Sequence, residues 1–487
     1  MEPDVCVIGA GIAGLSAAAL LVASGRRVQV LEGHTTPGGC AGFFQREGYR
    51  FDAGATLVGG FGRDGVHRRL IERLGITLAV HPVEPAMIVH LPGASIRRWG
   101  DPARWQAERL RVFGAVCEPF WREQEQLAAS AWAFSTRFPA LPRDAAGLRA
   151  FIGALRPGQL RAAAALGRTV ADAIPVDAPP LLRLFLDAQL LITAQTDAAG
   201  CDLAYGMAAL DLAHSGTFHV PGGVGAIATA LARSVRAGGG EIAYGTSAVE
   251  IVCERGAVRG VRCADGTVVR AAHVIAAIPA WDTLRLLGEE RAPALARRTA
   301  ALPQRWSAYM TYLGVPPGII ADDVDGHHQL VEQADAPLGE GNSVFLSFSA
   351  PGEPGRARDG GRTVTISTHT DVALWDRAAE ADGLRSLEDG LAERLRVACE
   401  RIAPGAWDAA RLRLPGTPHT FARYTGRHRG LVGGVAQTPA ASGLRALGHP
   451  SGMRGLLLCG DTTFPGQSTV GATLSGVAAA RALGARL

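Results

Sequence analysis

Residues 5–25 read VCVIGAGIAGLSAAALLVASG, without one charged side chain, and residues 27–32 continue as RVQVLE. The first run exceeds the ~18 apolar residues at which a membrane-spanning helix is ordinarily considered. Its glycines point elsewhere. Gly9, Gly11 and Gly14 spell GxGxxG directly after VCVI, a short β-rich run, and they open into 15–24, which is rich in alanine and leucine and has helix propensity. RVQVLE then reads as a strand ending in an acid, Glu32, roughly 20 residues past the glycines, as in a dinucleotide-binding βαβ unit. Gly9 permits the tight turn, Gly11 lets a diphosphate approach the backbone, and Gly14 lets helix and sheet pack closely. The helix N-terminus offers unpaired N–H groups and a partial positive charge to the phosphates, and Glu32 can accept hydrogen bonds from ribose hydroxyls. The other readings fail on their surroundings. A secretion signal needs a basic leading region, whereas Glu2 and Asp4 precede this run. A membrane span would break at Gly25, and RVQVLE beyond it alternates like a strand.

A chain of 487 residues is expected to hold two or more domains. Hydrophobic residues make up 47%, apolar for a soluble protein, and the net charge of +4 is too mild to argue for nucleic acid. The eight cysteines (Cys6, Cys40, Cys117, Cys201, Cys253, Cys263, Cys399 and Cys459) show neither CxxC nor metal-ligand spacing. They read as buried thiols of a cytoplasmic protein, with no metal and no disulfide framework. There is no internal repeat, and GEPGRARDGG at 352–361 reads as a surface turn between strands.

Two further glycine-rich passages narrow the nucleotide. After the second strand comes HTTPGGCAGFF, 34–44, then GYRFDAGATL, 48–57. Gly38–Gly39 suits a backbone passing close to a flavin diphosphate, and the turn at Phe51, Asp52 and Gly54, followed by Thr56, is placed to bring a loop over an isoalloxazine ring. Near the other end, an apolar strand at 456–459 stops at Gly460–Asp461, and a helix begins around 470–473. That arrangement offers a carboxylate for a ribityl hydroxyl and helix N–H groups for the flavin or its phosphates. In the middle, 246–279 reads as a run of strands with turns at Gly256 and Asp265–Gly266, ending in an apolar strand at 273–278.

These passages, with FDAGATLVGGF, WGDPARWQAERLRVF, LRLFLDAQLLITAQ, FHVPGGVGAIATALA, TPHTFARYTGRHRGLVGG and CGDTTFPGQSTVGATLSG, resemble the two-domain flavoproteins of the amine oxidase and carotenoid desaturase superfamily over nearly the full length. They look most like the bacterial carotenoid C-3',4'-desaturases. The resemblance implies an α/β fold: a discontinuous Rossmann-type FAD-binding domain (1–75, 220–285 and 440–487) with an inserted α+β substrate-binding domain (76–219 and 286–439). It implies non-covalent FAD held by Gly9, Gly11, Ile12, Ala13, Gly14, Glu32, Gly38, Gly39, Thr56, Val249, Gly460, Asp461, Val470, Gly471 and Ala472, with Val249 near the adenine and 276–279 beside the flavin domain. One departure stands out. Related flavoproteins often carry arginine after the glycine pair, where this chain has Cys40, which removes one cation near the flavin.

The implied reaction removes two hydrogens from a saturated carbon pair next to a polyene. The flavin would take the hydride, and any cation would delocalise along the conjugated chain, so the protein need only orient a long hydrocarbon and exclude water. An apolar tunnel is therefore expected, with the helical run 180–200 and Phe43, Phe44, Phe51 and Phe61 as candidate walls. Polar candidates are thin: Asp187, Gln189, Asp211, His214, His369, Asp371, Arg423, Thr425 and Arg427. Each reads first as a satisfied buried group or a surface ion pair, and none is assigned as a catalytic base.

One nucleotide fingerprint is present, and PGGVG at 221–225 lacks the strand–GxGxxG–helix context. Electrons are therefore expected to leave to oxygen, a quinone or another membrane-soluble acceptor rather than through a second nucleotide. A carotenoid substrate implies peripheral attachment to the membrane surface at the cytoplasmic side, through an apolar patch near the tunnel mouth. Three rivals stay open. A carotenoid cis–trans isomerase would use the same fold with reduced FAD. A flavin amine oxidase would want an aromatic cage and a nearby lysine, in a chain poor in tyrosine that relies on arginine. A non-enzymatic prenyl-lipid carrier need not keep Glu32, Asp461 and the full glycine set.

Overall fold

A computed structural model of the chain describes residues 2–137, 149, 153, 165–211, 216–324, 326–485 and 487. The VCVI strand, Val5–Ile8, is buried at all four positions and lies at the centre of a five-stranded parallel sheet. Its neighbours are Val28–Glu32 and His273–Ala276, and the edges are Glu241–Tyr244 and Leu456–Leu458. A strand paired on both sides and covered on both faces has no polar face to show, which is why it reads as an unbroken apolar run. Three distant parts of the chain thus build one sheet.

The helix Ile12–Ala23 explains the missing charges. Every residue from Ile12 to Val22 is buried, because the helix packs against the sheet, the C-terminal helix Ser468–Ala482 and the helix Gly225–Ala237. The approach of the two apolar helices requires glycine: a Cβ on Gly476 would lie 2.2 Å from the Ala13 carbonyl oxygen. Among the described residues, no helix is long and apolar enough to cross a membrane. The alternating segment after residue 246 forms the expected antiparallel strands, Ala248–Glu254, Ala257–Cys263 and Val268–Arg270.

The second large sheet has seven strands in the order Leu412–Gly416, Trp306–Val315, Arg362–Asp371, Ser343–Phe348, Gly326–Val331, Met87–Leu91 and Ala94–Arg98. All pairs are antiparallel except Gly326–Val331 with Met87–Leu91. One face carries the helix Leu384–Ile402 over a core of Tyr309, Leu313, Leu346 and Ile366. Towards the other lie Glu118–Arg137, Pro180–Ala194 and Leu203–Ala209, whose own core joins Trp105, Trp121 and Phe185 to Met87 and Val89.

The 352–361 segment does join two strands of this sheet, but it is more than a surface turn. Arg356 points inward, is 8% exposed, and pairs with the buried Asp52 at 2.7 Å. Asp52 also accepts a hydrogen bond from the Val224 amide at 2.9 Å. The FDAG turn, the PGGVG turn and this loop are therefore tied together at one buried carboxylate.

Candidate functional site

The glycine turn begins where the central strand ends. Gly9 adopts φ +99°, and a Cβ there would meet the Ala277 carbonyl oxygen at 2.9 Å. Gly14 is more confined: its Cβ would lie 2.1 Å from the Gly9 oxygen. Gly11 differs from both, since a Cβ on it would meet no protein atom within 4 Å. Gly11 faces a large cavity, and so does Gly39, whose Cβ would approach Gly11 Cα to 3.7 Å. The helix's first main-chain bond runs from the Leu15 amide to the Gly11 oxygen, and no side chain caps the end. Its leading amides are thus available to an anion.

Glu32 stands at the end of the second strand. Its carboxylate accepts hydrogen bonds from the Ala10 amide at 2.7 Å and the His34 amide at 2.8 Å. Both oxygens are thereby oriented, and each keeps a lone pair for a ribose hydroxyl. Across the same cavity, Gly460 follows the strand Leu456–Leu458, a Cβ on it would meet nothing within 4 Å, and Asp461 lines the wall with Val470, Gly471 and Ala472 at the start of the C-terminal helix.

The cavity has a volume of about 1340 Å³, above the 300–1,000 Å³ of an ordinary small-ligand pocket. Its wall includes the cradle residues Glu32, Gly11, Gly38, Gly39 and Ala277–Pro279. It also includes the apolar side chains Met87, Trp132, Phe134, Ile192, Met310 and Phe345. On the sheet side, Ala308, Met310 and Tyr312 alternate along one strand, and Ser367 and His369 along its partner, so a single sheet face forms that wall. Thr56 also lines it and shares a hydrogen bond with Ser347 at 2.7 Å.

Several expected residues fall elsewhere. Val249 is 45% exposed and off the cavity, and Ala248 lines it instead. The pairing of this strand with Ala257–Cys263 shifts register between Ala248 and Glu250, which leaves Val249 off the ladder. Gly14 acts in helix–sheet packing and does not line the cavity. Phe43 and Phe44 line it, whereas Phe51 stacks behind Phe44 at 5.3 Å and Phe61 packs on His67 at 5.1 Å. Asp187 pairs with Arg183 at 2.8 Å and accepts a bond from the Ala198 amide. Asp371 caps the helix Val372–Glu380 and pairs with Arg305. Asp211 accepts from Trp132 Nε1 at 3.1 Å. His214 lies outside the described residues.

The polar groups that do reach the cavity include Gln189, His369, Arg423, Thr425 and Arg427. Gln189 donates to Gln329 Oε1 at 2.7 Å. His369 lies 3.2 Å from Gln195 Nε2, and burial pushes its imidazole down to about 4. Residues not anticipated from sequence are Ser247, Ala248, Tyr424 and Gln467. Gln467 has a recognisable signal, because it directly precedes the C-terminal helix in PGQST.

The geometry fits a dinucleotide with a second ligand beside it: open glycines at Gly11, Gly39 and Gly460, two helix N-termini, and an oriented carboxylate at Glu32. The family model for flavin containing amine oxidoreductases matches residues 12–484. The chain is 27% identical to a chloroplastic prolycopene isomerase of Daucus carota, over 100% of this chain and 80% of that protein. It is 26% identical to a hydroxyneurosporene desaturase of Rhodobacter capsulatus, over 99% of this chain and 98% of that protein. Among solved structures, cyclohexylamine oxidase from Brevibacterium oxydans superposes with a TM-score of 0.61 at 19% identity, over 99% of this chain and 100% of that one. The chain belongs to the flavin-containing amine oxidoreductase family, and its cofactor is FAD.

Proposed function

We propose that the chain is a carotenoid desaturase that introduces the C-3',4' double bond at the acyclic end of a carotenoid, with or without a 1'-hydroxyl. The observation that carries this reading is that the cavity holding the dinucleotide cradle also has a largely apolar stretch of wall, beyond what a dinucleotide alone requires. Bound FAD supplies the hydride acceptor. The chain's own task is to align a long hydrocarbon and keep water out, which Met87, Phe134, Ile192, Met310 and Phe345 suit. His369 stands in the same wall, where burial keeps its imidazole neutral at physiological pH and so adds no charge to an apolar site. The chain has no lysine at all, which counts against an amine oxidase.

Leu166 and Leu444 are 57% and 43% exposed and also line the cavity. Exposed apolar side chains in the wall favour entry of substrate from a membrane surface. We assign 1–75, 220–285 and 440–487 to the FAD-binding part and 76–219 and 286–439 to the substrate part, since the strands of the two large sheets divide along those lines. Oxygen or a quinone is the proposed electron acceptor, at the cytoplasmic side of the membrane.

A second reading, cis–trans isomerisation with reduced FAD and no net oxidation, is favoured by the prolycopene isomerases, which align over essentially the whole chain at 27–28% identity. Product mass separates the two. The FAD-loaded chain is incubated with liposomes carrying a monocyclic carotenoid with one acyclic end, hydroxylated and not. Loss of two hydrogens with a red-shifted spectrum is the expected result. Unchanged mass with altered double-bond geometry establishes the isomerase, and no change with either substrate overturns both.

A further inference from the structure

The cation missing at Cys40 is restored from a distant part of the chain. Arg427 lies in the GRHRG turn after the helix Pro418–Thr425. It lines the cavity, and its side chain is only 11% exposed. Its Nε donates to the Leu431 oxygen at 2.6 Å, and its Nη2 donates to Asp461 Oδ2 at 2.8 Å. Nη1 has no hydrogen-bond acceptor among the described residues. Burial works against the charge, but Asp461, Cys40 and Asp282 together outweigh it and keep the guanidinium protonated.

The location is specific. Arg427 interacts electrostatically with Cys40, the residue directly after Gly39, and Gly39 stands against Gly11 at the first helix N-terminus. Its partner Asp461 follows Gly460, shortly before the N-terminus of the C-terminal helix. The turn that carries it is anchored on both sides. The His428 amide donates to Asp282 at 3.0 Å, and Ser307 Oγ donates to the Gly430 oxygen at 2.7 Å. Gly434 passes so close to Asp461 that a Cβ would sit 2.4 Å from its carbonyl oxygen. A buried, oriented guanidinium between two glycine turns has the character of an anion site.

We propose that Arg427 is a cofactor-binding residue that contacts the diphosphate segment of FAD, and that Asp461 positions it there. The inference rests on FAD being the cofactor and is independent of which carotenoid reaction the chain performs. A dinucleotide carries two negative charges at its diphosphate, and riboflavin carries none, so the pair of ligands isolates the contact.

The test is titration of the full-length apoprotein with FAD and, separately, with riboflavin, monitored by quenching of flavin fluorescence at low and high salt. Arg427→Gln should raise the Kd for FAD at least tenfold, flatten its salt dependence, and leave the Kd for riboflavin within twofold. Arg427→Lys keeps the charge without the fork, so it should restore the salt dependence with an intermediate Kd; it also serves if the glutamine variant does not fold. An unchanged Kd for FAD in Arg427→Gln, or equal weakening of FAD and riboflavin, would overturn the assignment.

Discussion

The three glycines of one motif do three different things, and single substitutions separate them. Gly11 faces the cavity with no protein atom within 4 Å of a Cβ, so Gly11→Val should fold normally and purify without flavin colour. Gly14→Ala should do the reverse. Its methyl would sit 2.1 Å from the Gly9 oxygen, and strain of this kind costs about 1–3 kcal/mol, visible in denaturant unfolding of the apoprotein. The Asp52–Arg356 pair makes a second contrast. Both side chains are buried, and removing one partner of such a pair costs about 3–5 kcal/mol by leaving the other charge unpaired. Arg356→Met should therefore destabilise strongly, although Arg356 lies in a loop that sequence marks as surface. The glycine signal was readable because it is local: turn, helix start and strand end fall within 30 residues. Arg356 was not, because its partner is 304 residues away and nothing in GEPGRARDGG announces it. The exposure of the Val249 side chain was hidden for a similar reason. A sequence shows that a strand is there before it shows which of its alternating side chains faces the ligand.

Elements explain why charge-bearing residues that looked chemical turn out to be structural. Asp371 sits at the first position ahead of the helix Val372–Glu380 and accepts the Ala373 amide at 3.0 Å. Asp371→Ala should cost about 1 kcal/mol of stability and leave flavin content and turnover unchanged; a lost activity with a normal fold would return Asp371 to the site. The same logic runs through the helix Ile12–Ala23, whose apolar composition mimics a membrane span only while its neighbours are unknown. Once a second apolar helix, Ser468–Ala482, is laid against it, its uncharged surface is the requirement for a three-layer core. The glycine-rich C-terminal passage announced that second helix, as the N-terminal motif announced the first. What was not legible is the seven-stranded sheet, whose strands come from both insertions and whose pairing joins residues more than 200 positions apart, such as Ile88 with His328.

At the scale of the molecule, burial leaves a set of histidines neutral. His90, His327 and His369 are each pushed down to about 4, chiefly by desolvation. The unfolded chain takes up these protons near the ordinary 6.5, and the folded chain does not until near 4. The unfolded state therefore binds more protons in that window, and the stability present above pH 6.5 is lost as pH falls from 6.5 towards 4. Asp52, Asp187 and Asp282, whose carboxyls burial raises, act in the opposite sense near the carboxylate range, so the histidine part is isolated by difference. His327→Gln should show a shallower loss of stability between pH 6.5 and 4 than the unaltered chain, in denaturant unfolding at stepped pH. Parallel curves would contradict it.

The central claim is that one continuous cavity sets a polyene against FAD so that the flavin is reduced by the substrate itself. The most direct measurement is an anaerobic single turnover: oxidised holoenzyme mixed with carotenoid-bearing liposomes, with flavin absorbance and carotenoid mass monitored together. The account predicts bleaching of the flavin band in step with the loss of two hydrogens, one product per flavin. A flavin that stays oxidised while the carotenoid is present, in protein that retains FAD, would contradict it.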